Sequence, residues 1–568
     1  MSYVLYTFDS SANIRFDISD SNVNLEYSTD GVTWQPMTYP QTYLESVPNN
    51  LYVRGSGNEN ITGPICQYRT WTYHYLSGNI ESLIDYTKVD NGEHPTIGEN
   101  YFKDFARDNN ELLGAQNLQF PTTLATKCFH GMFYGCDNLI YAPTLPATVM
   151  IEGCYYSMFA FCYSLVTAPS LPATTLAKTC YYGMFQHCSS LVNPPNLPAT
   201  VMAENCYGTM FMDCTSLVTA PSIPATVDAD RCFSGMFSGC THLLTPPSPI
   251  FAAGISITTK YCCDGMFRGC SSLVNAPLLP ATLTAGAQYV YNGMFRECTS
   301  LVTAPELPST VIGAYSYQRM FYGCTSLVNV PLLPATSVDS YCYYEMFRGC
   351  TSLINAPSRI LMEPTGGKTY LCYYMFYGCT NLENPPEIPN ATAMGEYAMY
   401  GMFALCSKLK KTPRLPATLL GTHAYHRMFY GCTSLTELPL LPCESLRDSV
   451  YAQMFYNCSN IKISAVETSE YNTPYRIPSG TATASYAANA LSSMFYRTGG
   501  PFTGTPTANT TYYIIGPVPT TVPPIYVGVN GKAQQVKNIY VGVNGIAREV
   551  KAIYVGVNGK AREVFKAT

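Results

Sequence analysis

The chain has 568 residues, a net charge of −5 and only 12% charged side chains. It is too long for one compact domain, and low charge without a basic block argues against a nucleic-acid partner. No apolar run approaches the roughly 20 residues a membrane-spanning helix needs, so membrane insertion is not expected.

Residues 1–100 show no period. Short apolar runs such as Tyr3-Val4-Leu5-Tyr6, Ile14-Arg15-Phe16-Asp17-Ile18 and Leu51-Tyr52-Val53 alternate with turn signals, which predicts a small antiparallel β module, sandwich-like. Asp30-Gly31 reads as its hairpin turn. The stretch from Leu25 to Trp34 resembles a hairpin common in immunoglobulin-like modules of extracellular and phage proteins. Both tryptophans, Trp34 and Trp71, fall here and are expected to pack in the module's core. Asp9, Asp17, Asp20 and Asn22 miss the spacing of a calcium loop. Met1 to Asp9 shows no secretory signal, which predicts synthesis in a cytoplasm.

Residues 101–498 are organised by a recurring Met-Phe-x-x-Cys. It reads Met132-Phe133-x-x-Cys136, Met158-Phe159-x-x-Cys162, Met184-Phe185-x-x-Cys188 and, further on, Met346-Phe347-x-x-Cys350. Thirteen copies end in Cys, and a fourteenth, Met494-Phe495-Tyr496-Arg497-Thr498, ends in Thr. The step from Met to Met is most often 26 residues, a period that predicts stacked structural repeats. Of the 24 cysteines, thirteen close the motif and seven stand four residues before its Met, where other copies carry Val290, Ser316 or Ala398. A slot that accepts Cys, Val, Ser or Ala wants a small side chain, so the cysteines read as stacked thiols, not disulfides.

One repeat can be written from residue 327 to 352. Pro331 and Pro334 make its first half extended and forbid a continuous strand ladder there. Cys342, Met346 and Cys350 stand at i, i+4 and i+8, a spacing that predicts a short helix with one inward stripe. Burying Met and Phe contributes roughly 1.5–3 kcal/mol each, whereas ordering costs about 1–2 kcal/mol per residue. One coil cannot hold itself, and neighbours must cover both faces. Fourteen coils at strand spacing would span about 65–70 Å.

The sequence Leu-Pro-Ala-Thr, then Cys-Tyr-Tyr-x-Met-Phe-x-Gly-Cys-Thr-Ser-Leu, resembles the BspA-like leucine-rich repeats of bacterial surface proteins and gut phage tail proteins. The resemblance implies a leucine-rich-repeat solenoid of mixed extended segments and short helices, with an adhesive or recognition role. Phe105 to Leu113 echoes the motif as a degenerate first coil, and 461–493 is an insertion before the last.

Residues 499–524, rich in Gly, Pro and Thr, read as an extended linker. Residues 525–568 hold three 14-residue units, each with an Asn-Gly at its centre (Asn530-Gly531, Asn544-Gly545, Asn558-Gly559), which predicts three β-hairpins. The unit resembles short hairpin repeats that end tail proteins of gut phages.

No nucleophile elbow, phosphate loop, dinucleotide fingerprint or metal-ligand spacing is present, so neither an enzyme nor a cofactor is expected. His423, His426 and Cys432 lack a fourth ligand, and Cys432 closes its motif. The chain holds 47 tyrosines, residues suited to recognition because they combine contact area with a polar tip. Candidate ligand contacts are Tyr155, Tyr156, Tyr181, Tyr182, Tyr343, Tyr344, Tyr373 and Tyr374, with at least one of each pair expected to point inward. Taken with the resemblances, these features imply a non-enzymatic phage virion protein, of a tail fibre or other appendage, that adheres to a host-surface glycan or protein. Its end modules would join other virion proteins; self-association is left open. The alternatives are a bacterial cell-surface adhesin and a structural virion spacer.

Overall fold

The computed structural model describes residues 3–223, 229–251, 254–279, 282–360, 367–388, 392–480, 487, 489–515 and the strands between 525 and 566. Period-2 alternation in the first hundred residues yields two sheets. Their strands are β1 (Val4–Phe8), β2 (Ala12–Ile18), β3 (Leu25–Ser28), β4 (Gln35–Pro36), β5 (Gln41–Val47), β6 (Asn50–Gly55), β7 (Cys66–Thr70), β8 (His74–Asn79) and β9 (Leu112–Gln119). One sheet runs β4-β3-β6-β1-β8-β9, the other β5-β2-β7. The inward side chains meet as aromatic pairs, with Tyr6 edge-on to Tyr68 at 4.9 Å and to Phe16 at 5.7 Å. Buried His74 hydrogen-bonds the Tyr68 hydroxyl through Nε2 at 2.9 Å. A short helix, Ser82–Asp90, lies against β6.

Two expectations for this module need correction. Neither tryptophan is in the core: Trp71 is 61% exposed, and half-buried Trp34 is covered by the Arg54 guanidinium at 3.8 Å. Asp30-Gly31 is not a two-residue turn, because Tyr27 pairs with Gln35. The Asp30 carboxylate instead accepts the Val32 and Thr33 amides, which hold its pKa well below the usual range.

Beyond β9 the chain becomes a stack of coils. In their first halves, strand pairing shrinks to parallel rungs of one or two residues, such as Tyr141 with Thr167 and Thr167 with Asn193. Prolines between rungs remove the donors a longer ladder needs.

The second halves are not helices. Left-handed residues recur every fourth position, as at Tyr341 (φ 61°), Glu345 (φ 52°) and Gly349 (φ 75°). Consecutive four-residue turns result, and hydrogen bonding alternates by position. Tyr344, Met346, Arg348 and Cys350 donate three residues back, to Tyr341, Tyr343, Glu345 and Phe347, at 3.1–3.3 Å. The residues between them donate to the next coil: Tyr343 to Leu371, Glu345 to Tyr373, Phe347 to Met375 and Gly349 to Tyr377, at 2.8–3.0 Å. Every amide from Tyr343 to Cys350 is satisfied without a helix or a strand. Four residues per turn bring Cys342, Met346 and Cys350 to the same buried side, which is why their spacing imitates a helix.

The Met and Phe of all fourteen motifs are fully buried. Their phenylalanines stack in one column from Phe133 to Phe495, with neighbouring centroids 5.4–5.7 Å apart. All 24 cysteines are buried thiols. Those that close the motif do more than fill space. Cys350 donates its S–H to the Phe321 carbonyl of the preceding coil at 3.1 Å, and Cys324 to Phe295 at 3.0 Å. That carbonyl also accepts the Cys amide of its own coil, so the thiol is a second pin between coils.

Both ends of the stack are closed. The degenerate first coil is real: Phe102, Asp104, Ala106 and Asp108 donate to the coil of Met132. Two of its four open carbonyls, on Tyr101 and Phe105, accept the amides of Ile65 and of Tyr68 in β7. Asn109, in the place of the motif Cys, donates to the Tyr68 carbonyl and accepts the Thr70 amide. At the other end, residues 499–514 are no linker. The Phe495 amide donates to the Gly504 carbonyl, and those of Ser493 and Arg497 to the Thr505 and Thr503 hydroxyls. Thr511–Ile514 then pairs with Ile463–Ser464 and Thr473–Arg476 of the insertion. The remainder of the expected linker, 516–524, lies outside the described residues.

The C-terminal units each pair antiparallel within themselves, as Ile525–Val529 with Lys532–Val536, Tyr540–Val543 with Ile546–Glu549, and Ala552–Val557 with Lys560–Lys566. Val529 faces Lys532, Val543 faces Ile546 and Val557 faces Lys560, leaving two residues to turn each hairpin. The Asn-Gly turn residues themselves lie outside the described residues.

Candidate functional site

Because every coil repeats the same turns, a residue's offset from the motif Met fixes where its side chain goes. Three before the Met points inward. Tyr155, Tyr181 and Tyr343 occupy this position and are buried, so they are not available to a ligand. Two before the Met lies at the surface. Tyr156, Tyr182, Tyr344 and Tyr373 stand there half-buried. Tyr374, one before its Met, also reaches the surface, edge-on to Tyr377 and Tyr400. In that coil Cys372 takes the inward position, so neither tyrosine of the pair packs inside. Five of the eight candidates thus share one side of the stack.

The structure adds a column that the motif-centred reading missed. Five residues before the Met stand Tyr261, Tyr289, Tyr315, Tyr341, Tyr370, Tyr397 and His423. They stack continuously, with centroids 4.3–4.8 Å apart and planes within 14°. All seven have positive φ, between 54° and 62°. A left-handed tyrosine costs about 1–2 kcal/mol, where glycine would sit freely. Earlier coils use other residues, Gly153 among them, at this position. Lys127, Thr179, Asn205, Arg231 and Ser449 stand at the same offset with positive φ, so the left-handed turn is common to the coils, and what sets the six tyrosines apart is the stacked ring. The recurrence at a fixed offset was the signal in the sequence.

Beside this column runs the second one, Tyr344, Tyr373, Tyr400 and His426, at 4.8–4.9 Å. Contacts of 5.4–5.9 Å join them, as between Tyr370 and Tyr373 or Tyr397 and Tyr400. His423 and His426 are therefore parts of the aromatic plate, while the Cys432 thiol is turned inward to the Phe403 carbonyl. Successive rings are closer in these columns than in the buried Phe column.

Stacking dictates what the plate offers. Ring faces are spent on each other, leaving edges and hydroxyls. Burial, with the neighbouring Tyr315 and Tyr261 hydroxyls, pushes Tyr289 up to about 12, and burial likewise raises Tyr341. Each phenol hydroxyl of the row can both donate and accept. Next to it, the buried Glu345 carboxylate is held between Arg319, at 2.6 Å, and Arg348. Arg348 lies over Tyr377 at 4.6 Å. The plate thus offers ring edges, hydroxyls and guanidiniums in a row. Among the described residues, no three metal-ligating side chains converge. Asp17 is engaged by Arg15 and Gln41, and Asp20 by Asn22. A larger shallow groove of about 620 Å³, lined by Ser77, Gln116 and Thr144, carries no charged side chain.

No curated protein and no solved structure matches the chain. Residues 250–357 and 363–473 match the BspA type leucine rich repeat region, in 6 copies, and the aromatic plate lies almost wholly inside them. These two stretches of the stack, which carry the plate, are thus similar to BspA-type leucine-rich repeats.

Proposed function

We propose that the chain is a non-enzymatic adhesion protein of a phage virion, working in a tail fibre or other appendage. Its repeats form a leucine-rich-repeat solenoid that presents the aromatic plate to a glycan or protein on the host surface. The observation that carries this reading is the continuous surface column of stacked rings from Tyr261 to His423. A spacer would have no use for it. The hairpin repeats at the C-terminus, or the two-sheet module at the N-terminus, would attach the protein to other virion components. Resemblance of the hairpins to those of phage tail proteins favours the virion. Resemblance of the motif to bacterial surface proteins supports the second reading, a cell-surface adhesin.

Two measurements test this. Adsorption of the full chain to candidate host cells should be saturable and should fall at least tenfold in a Tyr315→Gly, Tyr341→Gly variant. Glycine suits both left-handed positions, so the fold is retained while the hydroxyl row is broken. Equal adsorption by the variant would remove the plate from the function. Recovery of the chain in purified virions supports the phage reading; recovery only from intact cells would replace it with the second.

A further inference from the structure

The surface column two residues before the Met is interrupted. Between Tyr182 and Tyr344 its members are Gly208, Ser234, Asp264, Asn292 and Gln318. Where the rings are missing, the surface sinks into a trough of about 270 Å³, lined by Ser234, Asp264, Arg268, Asn292, Arg296 and Arg319 among others. Its floor is open at Gly265 and Gly293. A Cβ added there would meet nothing nearer than the Arg268 and Arg296 stems, at 4.0 and 3.8 Å.

The charges around the trough are arranged unequally. Arg296 is paired to Glu297 at 3.0 Å and lies over Tyr322. Arg319 is paired to Glu345, which Arg348 shares. Asp264 accepts the Asn292 amide at 2.8 Å. Exposed Arg268 has no ion-pair partner within 4.0 Å among the described residues. Three guanidiniums, Arg268, Arg296 and Arg319, and one carboxylate, Asp264, line the trough; Glu297 and Glu345 engage Arg296 and Arg319, which leaves Arg268 to meet an anion. Planar guanidinium matches planar carboxylate with two parallel hydrogen bonds. Asn292, Gln318 and Ser234 add amide and hydroxyl groups of the kind that satisfy the hydroxyls of a sugar. The volume lies at the lower edge of small-ligand sites, about 300–1,000 Å³, and so fits one sugar unit of a longer glycan.

We propose that this trough binds a carboxylate-bearing sugar, a uronic or sialic acid residue of a surface glycan, with Arg268 as the principal carboxylate contact and Arg296, Asn292 and Gln318 around the ring. The proposal rests on the adhesion reading and names the chemistry of its ligand. A dianionic phosphate would be opposed by Asp264 and Glu297.

The test is titration of the full chain with glucuronic acid and N-acetylneuraminic acid, with their methyl esters as neutral controls, followed by ligand-observed NMR. At least one acid should bind with a Kd of about 1–10 mM, and its ester at least tenfold more weakly. Arg268→Gln and Asn292→Asp should each weaken acid binding at least tenfold with an unchanged circular dichroism spectrum. Equal binding of acid and ester, unchanged binding by Arg268→Gln, or no binding of either acid would overturn the proposal. Cell adsorption measured in parallel separates the two levels. Arg268→Gln adsorbing like wild type, with no competition by free acid, retires the acidic sugar and leaves adhesion standing. Wild type adsorbing to no cell retires the adhesion reading itself.

Discussion

Phe347→Ala tests whether the stacked core behaves as a chain of nearest-neighbour contacts. Phe347 is fully buried and stacked between Phe321 at 5.4 Å and Phe376 at 5.5 Å. Truncating a buried Phe costs about 3–5 kcal/mol, which includes two ring stacks of about 0.5–1.5 kcal/mol each. In a repeat array the loss falls on the two interfaces the residue makes, not on the whole chain. Native-state hydrogen exchange by mass spectrometry resolves this. The Phe321 amide, bonded to Met346, and the Phe347 amide, bonded to Met375, report the two interfaces. Their protection should fall by a factor of about 10² to 10³, at about 1.4 kcal/mol per tenfold. Amides of Val4–Phe8 in the two-sheet module should keep theirs. A loss under about 1 kcal/mol, or an equal loss of protection in that strand, would refute the nearest-neighbour account.

The remaining predictions concern thiols, turns and pH. Burial pushes thiols such as Cys379 and Cys458 up to about 12, so a thiol-specific disulfide reagent at neutral pH should leave the native chain unlabelled and titrate all 24 thiols in denaturant; rapid native labelling would contradict the packed core. Gly349 has φ 75°, and Gly349→Ala should lower stability by about 1–2 kcal/mol in urea denaturation, with a neutral result counting against the four-residue turns. Burial holds His74 down at about 4, against 6.5 for the free side chain. The unfolded chain therefore takes up this proton first: the contribution is fully present above 6.5, is lost as pH falls from 6.5 to about 4, and changes no further below. The expected loss is about 3 kcal/mol, seen as the difference between wild type and His74→Gln in denaturation midpoints across that window, and parallel curves would refute it.

How much of this was legible in the residues differs by feature. The period, the burial of Met and Phe and the thiol state follow from recurrence alone, since a position that repeats with one chemistry has one environment. The helix expectation failed because four-residue turns and a 3.6-residue helix bury the same members of Cys342, Met346 and Cys350. What separates them is the left-handed backbone at Tyr341, Glu345 and Gly349, and only the glycine announces it. The aromatic column escaped notice because Tyr315 and Tyr341 lie five residues from the motif, outside the conspicuous Tyr pairs. Residues 499–514 have the composition of a linker, yet Thr503 and Thr505 serve as acceptors for the last coil, a role that composition cannot express.

The alternating hydrogen bonds give the four-residue turns a direction: there each coil's backbone donates forward and accepts from behind. Left bare, one terminus would be a row of hungry N–H groups and the other a row of unused oxygens, complementary to each other across two molecules. Such a pair of surfaces would thread copies into an open-ended filament. By occupying the oxygens on Tyr101 and Phe105 with Ile65 and Tyr68, and the hydrogens on Ser493, Phe495 and Arg497 with Thr505, Gly504 and Thr503, the fold sets its own length. Growth of this protein over time can then proceed by duplicating coils in the interior, while the two stoppers stay as they are.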